Sequence, residues 1–273
     1  MGEKIGLLAG KGQFPLMCAA AARQRGFTVV AVAHHAETDP ALAQVADEIH
    51  WVYVGQLGKI IRIFQKAGVR QAFMAGGINR GRLFKQFRPD FKALKLIAQV
   101  GVGRDDQVLR AVAAEMERDG IVIVPATLFL DHLMAPQGRL TRRRPNNMEM
   151  RDVNYGFRVA KEVGRLDIGQ CVVLRHGVVT ALEAIDGTDE TIRRGGLLAG
   201  PGAVVVKVCK PQQDLRFDLP AVGRGTIEVM REVEAGVLAI EAGKTLVFDR
   251  QDLAAQADQA GIAVWGVADQ PEA

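Results

Sequence analysis

The sequence is short of the residues on which several function classes depend. It has three cysteines in 273 residues, Cys18, Cys171 and Cys209, odd in number and far apart. No two lie at metal-ligand spacing. That excludes a disulfide scaffold and a zinc-finger module, and it fits a reducing compartment. Five histidines are scattered with no His-x-His or HExxH pattern, so a histidine-rich binuclear phosphoesterase centre is not expected. No apolar run reaches the length of a membrane span. The opening MGEKIGLLAG enters a strand at once, without the charge and cleavage pattern of a secretory signal. Charge of one sign is scarce as well: 35 Lys and Arg stand against 31 Asp and Glu, a net +4. Such a mildly basic balance suits an anionic small ligand or an anionic lipid surface. Without clustering it leaves no footprint for nucleic acid.

What is present reads as globular α/β. Apolar residues are 48% and charged residues 24% of the chain, with length enough for two ordinary domains. The first half alternates short buried strands with helical periods. Strands are expected at 5–9, 28–33, 49–54, 71–75 and 121–124, and helices at 14–25, 56–67 and 105–118. That alternation predicts a parallel sheet covered on both faces. From Met134 to Met148 prolines, asparagines and four arginines replace the apolar period, which reads as a connection between domains with Arg142, Arg143 and Arg144 solvated. The second half opens with a helix at 152–163. A hairpin about His176-Gly177 follows, with strands at 171–175 and 178–185. Beyond it come a very apolar strand at 204–209, a helix at 226–235, strands at 237–240 and 245–249 around Gly243, and a final helix and strand ending at 267. The hairpins predict a mixed sheet. The expected domains are 1–133, a Rossmann-like parallel-sheet α/β domain; 134–148, a linker; and 149–273, a second mixed-sheet α/β domain.

Several loops carry chemistry. Gly10-Lys11-Gly12 lies between the first strand and first helix, where backbone N–H groups and the helix dipole favour an anion. A tight turn needing small residues is the other reading. The dinucleotide fingerprint is incomplete, because Pro15 stands at its third glycine and strand two ends in His34-His35 instead of an acid. Gly76-Gly77 permits close backbone approach after a buried strand, with Asn79 and Arg80 next to it as anion or sugar contacts. Asp105 and Asp106 open a helix, where one carboxylate serves as a cap and Asp106 is kept as a substrate contact. Gly243-Lys244-Thr245 lacks the upstream glycine of a P-loop and reads as a hairpin turn. Gln170, Glu183, Thr188, Asp189 and Asp218 bring carboxylate, amide and hydroxyl oxygens onto neighbouring loops. Oxygen donors suit magnesium or manganese, not zinc.

These motifs have an order. GLLAGKGQFP at 6–15, GQLGKI at 55–60, AGGINR at 75–80, GRDDQVLR at 103–110, GRLDIGQCVV at 164–173, EAIDGTDETIRR at 183–194, KVCKPQQDLRFDLPAVG at 207–223 and LVFDR at 246–250 cover nearly the whole chain. In that order and spacing the chain resembles the LpxI-type UDP-2,3-diacylglucosamine pyrophosphatase family of lipid A biosynthesis. The resemblance implies hydrolysis of UDP-2,3-diacylglucosamine to UMP and 2,3-diacylglucosamine 1-phosphate, with attack at the β-phosphorus. It also implies a divalent cation, magnesium, and two α/β domains with the lipid between them. The aspartate of the family's RxDLPxxG segment, regarded as essential for catalysis, is Asp218 here.

The residues make chemical sense of that role. Asp218, with Glu183 and Asp189, is the expected metal set. Gln170 and Thr188 hold phosphate or water, and Lys207, Lys210 and Arg216 offset phosphate charge. Two other readings compete: a nucleotide-sugar enzyme with a Rossmann-like domain, and a non-catalytic nucleotide- or lipid-binding protein. An acylated substrate requires reach to a bilayer. Within 81–100, Leu83, Phe84, Phe87, Phe91 and Leu94 recur at nearly helical spacing among Lys85, Arg88, Lys92 and Lys95, with Pro89 dividing the stretch. That pattern predicts either a basic amphipathic contact with anionic lipid or a face packed in a core or domain interface. The expected protein is cytoplasmic and peripheral on the inner face of the inner membrane, and a homodimer is carried as an expectation.

Overall fold

The computed structural model describes residues 2–78, 87–100, 105–217 and 219–268. They fall into two units, one of residues 1–131 with 214–217 and one of 132–213 with 218–273.

In the first unit strands and helices alternate, as the buried apolar runs dictate. β1 (Lys4–Ala9), β2 (Thr28–His34), β3 (Glu48–Val52), β4 (Gln71–Ala75) and β5 (Val122–Ile123) form one sheet in the order β3-β2-β1-β4-β5. Every pairing is parallel. Val29 to Ala33 are all fully buried, as expected for a strand covered on both faces. α1 (Phe14–Gln24), the short α2 (Leu42–Val45) and α3 (Leu57–Ala67) connect the first four strands. Proline at its start and no side-chain cap mark α1, and Gly68 in the left-handed region ends α3. α4 (Phe91–Val100) and α5 (Asp105–Arg118) precede β5. Chain order reverses between β1 and β4, so the switch point lies at their carboxyl ends.

The second unit is a mixed sheet in the order β6-β13-β11-β9-β7-β8, built from β6 (Gly138–Arg139), β7 (Cys171–Arg175), β8 (Val178–Leu182), β9 (Val204–Lys207), β11 (Val237–Glu241) and β13 (Ala263–Val267). β9, β11 and β13 run parallel; β6, β7 and β8 join antiparallel to their neighbours. α6 (Asn147–Arg165) lies against β7 and β9, opening on a capping box. Asn146 accepts from the Met148 and Glu149 N–H groups, both at 2.9 Å, and Glu149 accepts from Asn146 N at 2.7 Å. α7 (Thr188–Ala199) packs on β7 and β8 through Gly195, where an added Cβ would stand 2.5 Å from Val173 Cβ. α8 (Arg224–Glu232) and α9 (Arg250–Gln259) complete the unit.

Three local expectations change. The strands flanking Gly243 do not form a hairpin: β11 sits between β9 and β13, and β12 (Leu246–Val247) pairs in parallel with β10 (Ala221–Val222). Gly243 still makes a turn at φ +70°. Thr188 and Asp189, read as loop residues, open the helix α7. The stretch read as a solvated linker is fastened to the second sheet. β6 pairs with β13, Thr141 Oγ1 accepts from Val264 N at 2.9 Å, and Arg143 bonds Glu149 and donates to Gly236 O at 2.9 Å. Arg142 and Arg144 are exposed, as expected, with the Arg142 side chain 93% exposed beside Asp258.

Candidate active site

The direction of the strands gathers one set of residues. β7 runs against β8 and β9, so its start meets their ends. Gln170 precedes β7, Glu183 follows β8, Lys207 ends β9 and Glu241 ends β11. All four stand at one edge of the second sheet.

Glu183 is buried and organises this edge. Its Oε2 accepts from Gln170 N at 3.1 Å and its Oε1 from the Thr188 hydroxyl at 2.9 Å. Its own N–H donates to Cys171 O at 2.9 Å, continuing the β7–β8 ladder. Gly169 is required beside it, because an added Cβ would lie 2.2 Å from Glu183 O. Gln170 Oε1 is buried without a hydrogen-bond partner. A bare amide oxygen away from water costs about 1–3 kcal/mol, so this atom is a natural ligand for a donor or cation. Lys207, opposite Cys171 in the ladder, is also buried and donates to Ala221 O at 2.9 Å. Lys210 is half-buried and pairs with Asp167 at 2.9 Å.

The neighbours have other duties. Burial, with Glu183 adding to it, pushes the Cys171 thiol up to about 12, so it is no thiolate at neutral pH. Burial pushes Cys18 up as well. The Arg194 guanidinium, followed by the Ala184 N–H, holds the Asp186 carboxyl below the usual range. Asp189 is exposed in the first turn of α7.

Arg216 groups with the first unit. It bonds Asp214 at 2.9 Å and Glu117 at 3.0 Å and lies over the Phe217 ring. The Asp214 carboxyl is held low chiefly by that guanidinium. Asp218, Asn79 and Arg80 lie outside the described residues, as does the side chain of Asp106.

In the first unit the two glycine loops interlock at the switch point. Gly10 N donates to Ala75 O at 2.8 Å and Lys11 N to Gly77 O at 2.8 Å. An added Cβ on Gly10 would lie 2.4 Å from Gly77 O, and one on Gly76 would lie 2.4 Å from Lys11 O. Gly12, at φ +93°, faces open space, and Lys11 is exposed. Gly10, Lys11, Gly12 and Gly77 are therefore brought together, and the small residues serve the turn directly. Beneath them His34 Nδ1 at 2.9 Å and the Thr38 hydroxyl at 2.7 Å both donate to Ala9 O.

A divalent cation asks for hard oxygen donors. Among the described residues no three His, Cys, Asp or Glu side chains gather as a metal-binding group. Glu183 and the orphaned Gln170 oxygen supply the described part of such a set, and their chemistry suits magnesium or manganese. Sequence reading did not single out Glu241, fully buried, or Lys161, which donates to both its oxygens at 2.7 Å. The glutamate ends an all-apolar strand and the lysine lies inside a helix, so neither stands in a loop motif.

A Rossmann-ordered domain, followed by a mixed-sheet domain with amide, carboxylate and ammonium groups along one edge, defines a two-domain α/β protein. Residues 4–133 match the family model of the LpxI N-terminal domain, and residues 136–265 that of the LpxI C-terminal domain. The chain belongs to the LpxI family. It is 35% identical over 280 residues, 97% of this chain and 98% of the relative, to the UDP-2,3-diacylglucosamine pyrophosphatase LpxI of Caulobacter vibrioides. Among solved structures, CobK precorrin-6A reductase aligns over 99% of this chain and 89% of its own, at 12% identity and a TM-score of 0.31. The biotin carboxylase subunit of pyruvate carboxylase aligns over 63% of this chain at 16% identity and a TM-score of 0.27, and this chain spans 35% of it. Likenesses of that size carry no argument about this chain.

Proposed function

We propose that this chain hydrolyses the pyrophosphate bond of UDP-2,3-diacylglucosamine, giving UMP and 2,3-diacylglucosamine 1-phosphate. The observation that carries the reading is the 35% identity to a relative of that name across 97% of the chain. The edge cluster of the second unit supports it chemically. Lys207 and Lys210 place positive charge where a pyrophosphate would bring negative charge. Thr188 and Gln170 hydrogen-bond phosphate or water, and Asp218 orients the attacking water or holds a cation. Magnesium or manganese is part of the proposal, held by Asp218 and Asp189 together with the oxygens of Glu183 and Gln170. When bound, the ion neutralises phosphate charge as a Lewis acid.

A peripheral site of action on the inner membrane face belongs to the same proposal, since the substrate is acylated. No helix among the described residues is long and apolar enough to cross a membrane. The test is UMP release by purified protein from UDP-2,3-diacylglucosamine, with magnesium and with chelator. Release that needs magnesium or manganese is expected. No release under any condition overturns the activity, and full release after exhaustive chelation overturns the cation.

A further inference from the structure

At the end of β11 sits a carboxylate with no part in the proposed chemistry. Glu241 is fully buried, a position a charge holds only when paired and hydrogen-bonded. Lys161, from α6, donates to Oε1 and Oε2, each at 2.7 Å, and Lys244 stands 2.9 Å from Oε1. The fourth contact is to backbone: Cys209 N–H donates to Oε2 at 2.8 Å. Lys161 then uses its third N–H on Cys209 O at 3.0 Å. One ion pair thus grips both sides of a single residue, accepting from its N–H and donating to its C=O.

Where that residue lies gives the grip its meaning. The β9–β11 ladder ends at the Lys207–Ile240 pair, and beyond it the chain turns out of the sheet. Val208 N donates to Gln170 O at 2.9 Å, and the N–H and the C=O of Cys209 are both bonded to the ion pair. Lys207 stands two residues before it and Lys210 follows it. A buried ion pair is a weak source of stability, since well-packed apolar residues replace such pairs at little or no loss. Its distinctive effect here is geometric.

We propose that Glu241 and Lys161 are positioning residues that fix the exit of β9 and thereby set Lys207, Lys210 and Gln170 for the reaction. The inference rests on the pyrophosphatase reading. Displacing reacting groups by about 1 Å costs on the order of 100-fold in rate, so small shifts of this exit are costly.

The decisive variant is the double replacement Lys161→Met with Glu241→Met, which removes both charges together. Expected are a protein still folded at the assay temperature with a lowered melting temperature, since the Cys209 N–H and C=O lose these partners, kcat lower by about 10- to 100-fold and KM within about threefold. A double variant with parental kcat overturns the proposal. So does a loss of kcat that merely follows a loss of folded protein. If the double variant does not fold, Glu241→Gln decides. Folded protein with depressed kcat and unchanged KM supports positioning, and parental kcat refutes it. Amide hydrogen exchange keeps this test separate from the activity assay. Cys209 N–H is protected in the parent and exposed to exchange in the variant, and equal protection in both defeats the clamp. A parent without activity but with a protected, variant-sensitive Cys209 amide would count against the pyrophosphatase reading and leave the clamp standing.

Discussion

A single carboxylate carries the sharpest expectation. In chain order Asp218 falls between β9 and β10, and as the carboxylate of the DLPAVG segment it is expected to serve the chemistry and not the packing. Asp218→Ala is expected to lower turnover on the order of 10²–10³-fold while the circular dichroism spectrum and melting temperature stay parental. Near-parental turnover removes Asp218 from the site. His34 gives a prediction of another kind. Burial lowers its pKa, against an opposing hydrogen bond to Ala9 O. The folded chain holds the ring neutral while the unfolded chain protonates it near the ordinary value of about 6.5. Its contribution to stability is therefore present above that value and is lost as pH falls below it toward the lower folded pKa. Melting temperature is expected to drop between about pH 7.5 and 5.5, and to drop less in His34→Asn, whose amide can still donate to Ala9 O. Equal drops would show that His34 does not govern that window.

At the scale of elements, close packing decides more than propensity. Two glycines near the end of α7 lower its helix propensity by about 1 kcal/mol each, and tertiary contact reverses the outcome. Gly195 lets the helix approach Val173 and Ala181, and Gly196 lets it approach Val233. Gly195→Ala is expected to destabilise the second unit by about 1–3 kcal/mol, because the strand below has no room to yield. A chemical denaturation midpoint equal to the parent's would contradict this. The same element shows where sequence reading stopped. Phe14–Gln24, Asp105–Arg118, Cys171–Arg175 and Gln71–Ala75 were legible from period and end signals, within a residue of the observed bounds. No element is expected over 190–203, where most of α7 lies and where two glycines weaken the helical period, and α6 starts ahead of the expected 152 although Asn146 and Glu149 spell a capping box. Pairing across long separations, β6 with β13 or β12 with β10, leaves no local trace. Gln170, Glu183 and Lys207, which the sequence sets beside apolar strands, stand at one edge of the second sheet, and Thr188 is bonded to Glu183. The pairing of Arg216 with Asp214 and Glu117 cannot be seen from charge alone.

For the whole molecule, the question is how an acylated substrate is met. α4 divides its faces: Ala93 and Leu96 are buried, whereas Phe91 is 83% and Leu94 52% exposed. Lys95 is exposed with them, but Lys92 is drawn into pairs with Glu115 and Asp119 and is not a free lipid contact. Leu83, Phe84 and Lys85 lie outside the described residues. The protein is expected to sediment with anionic vesicles at low salt and to be released at high salt. Phe91→Ser with Leu94→Ser and Lys95→Gln should weaken that binding while turnover of detergent-dispersed substrate persists. Unchanged sedimentation would place the membrane contact elsewhere.

The placement of β13 between β6 and β11 has a consequence in time. A chain is made from its amino end, and β6 cannot enter the sheet until a strand made more than 120 residues later has joined it. The first unit likewise waits for residues 214–217 before its last contacts close. Until the final strand leaves the ribosome, the second sheet has an unfilled place beside β11 and a first strand with nothing to pair with. A nascent chain arrested before residue 260 is therefore expected to show a protease-resistant first unit and a digestible second one. Resistance of both units at that length would mean that the sheet closes without its last strand.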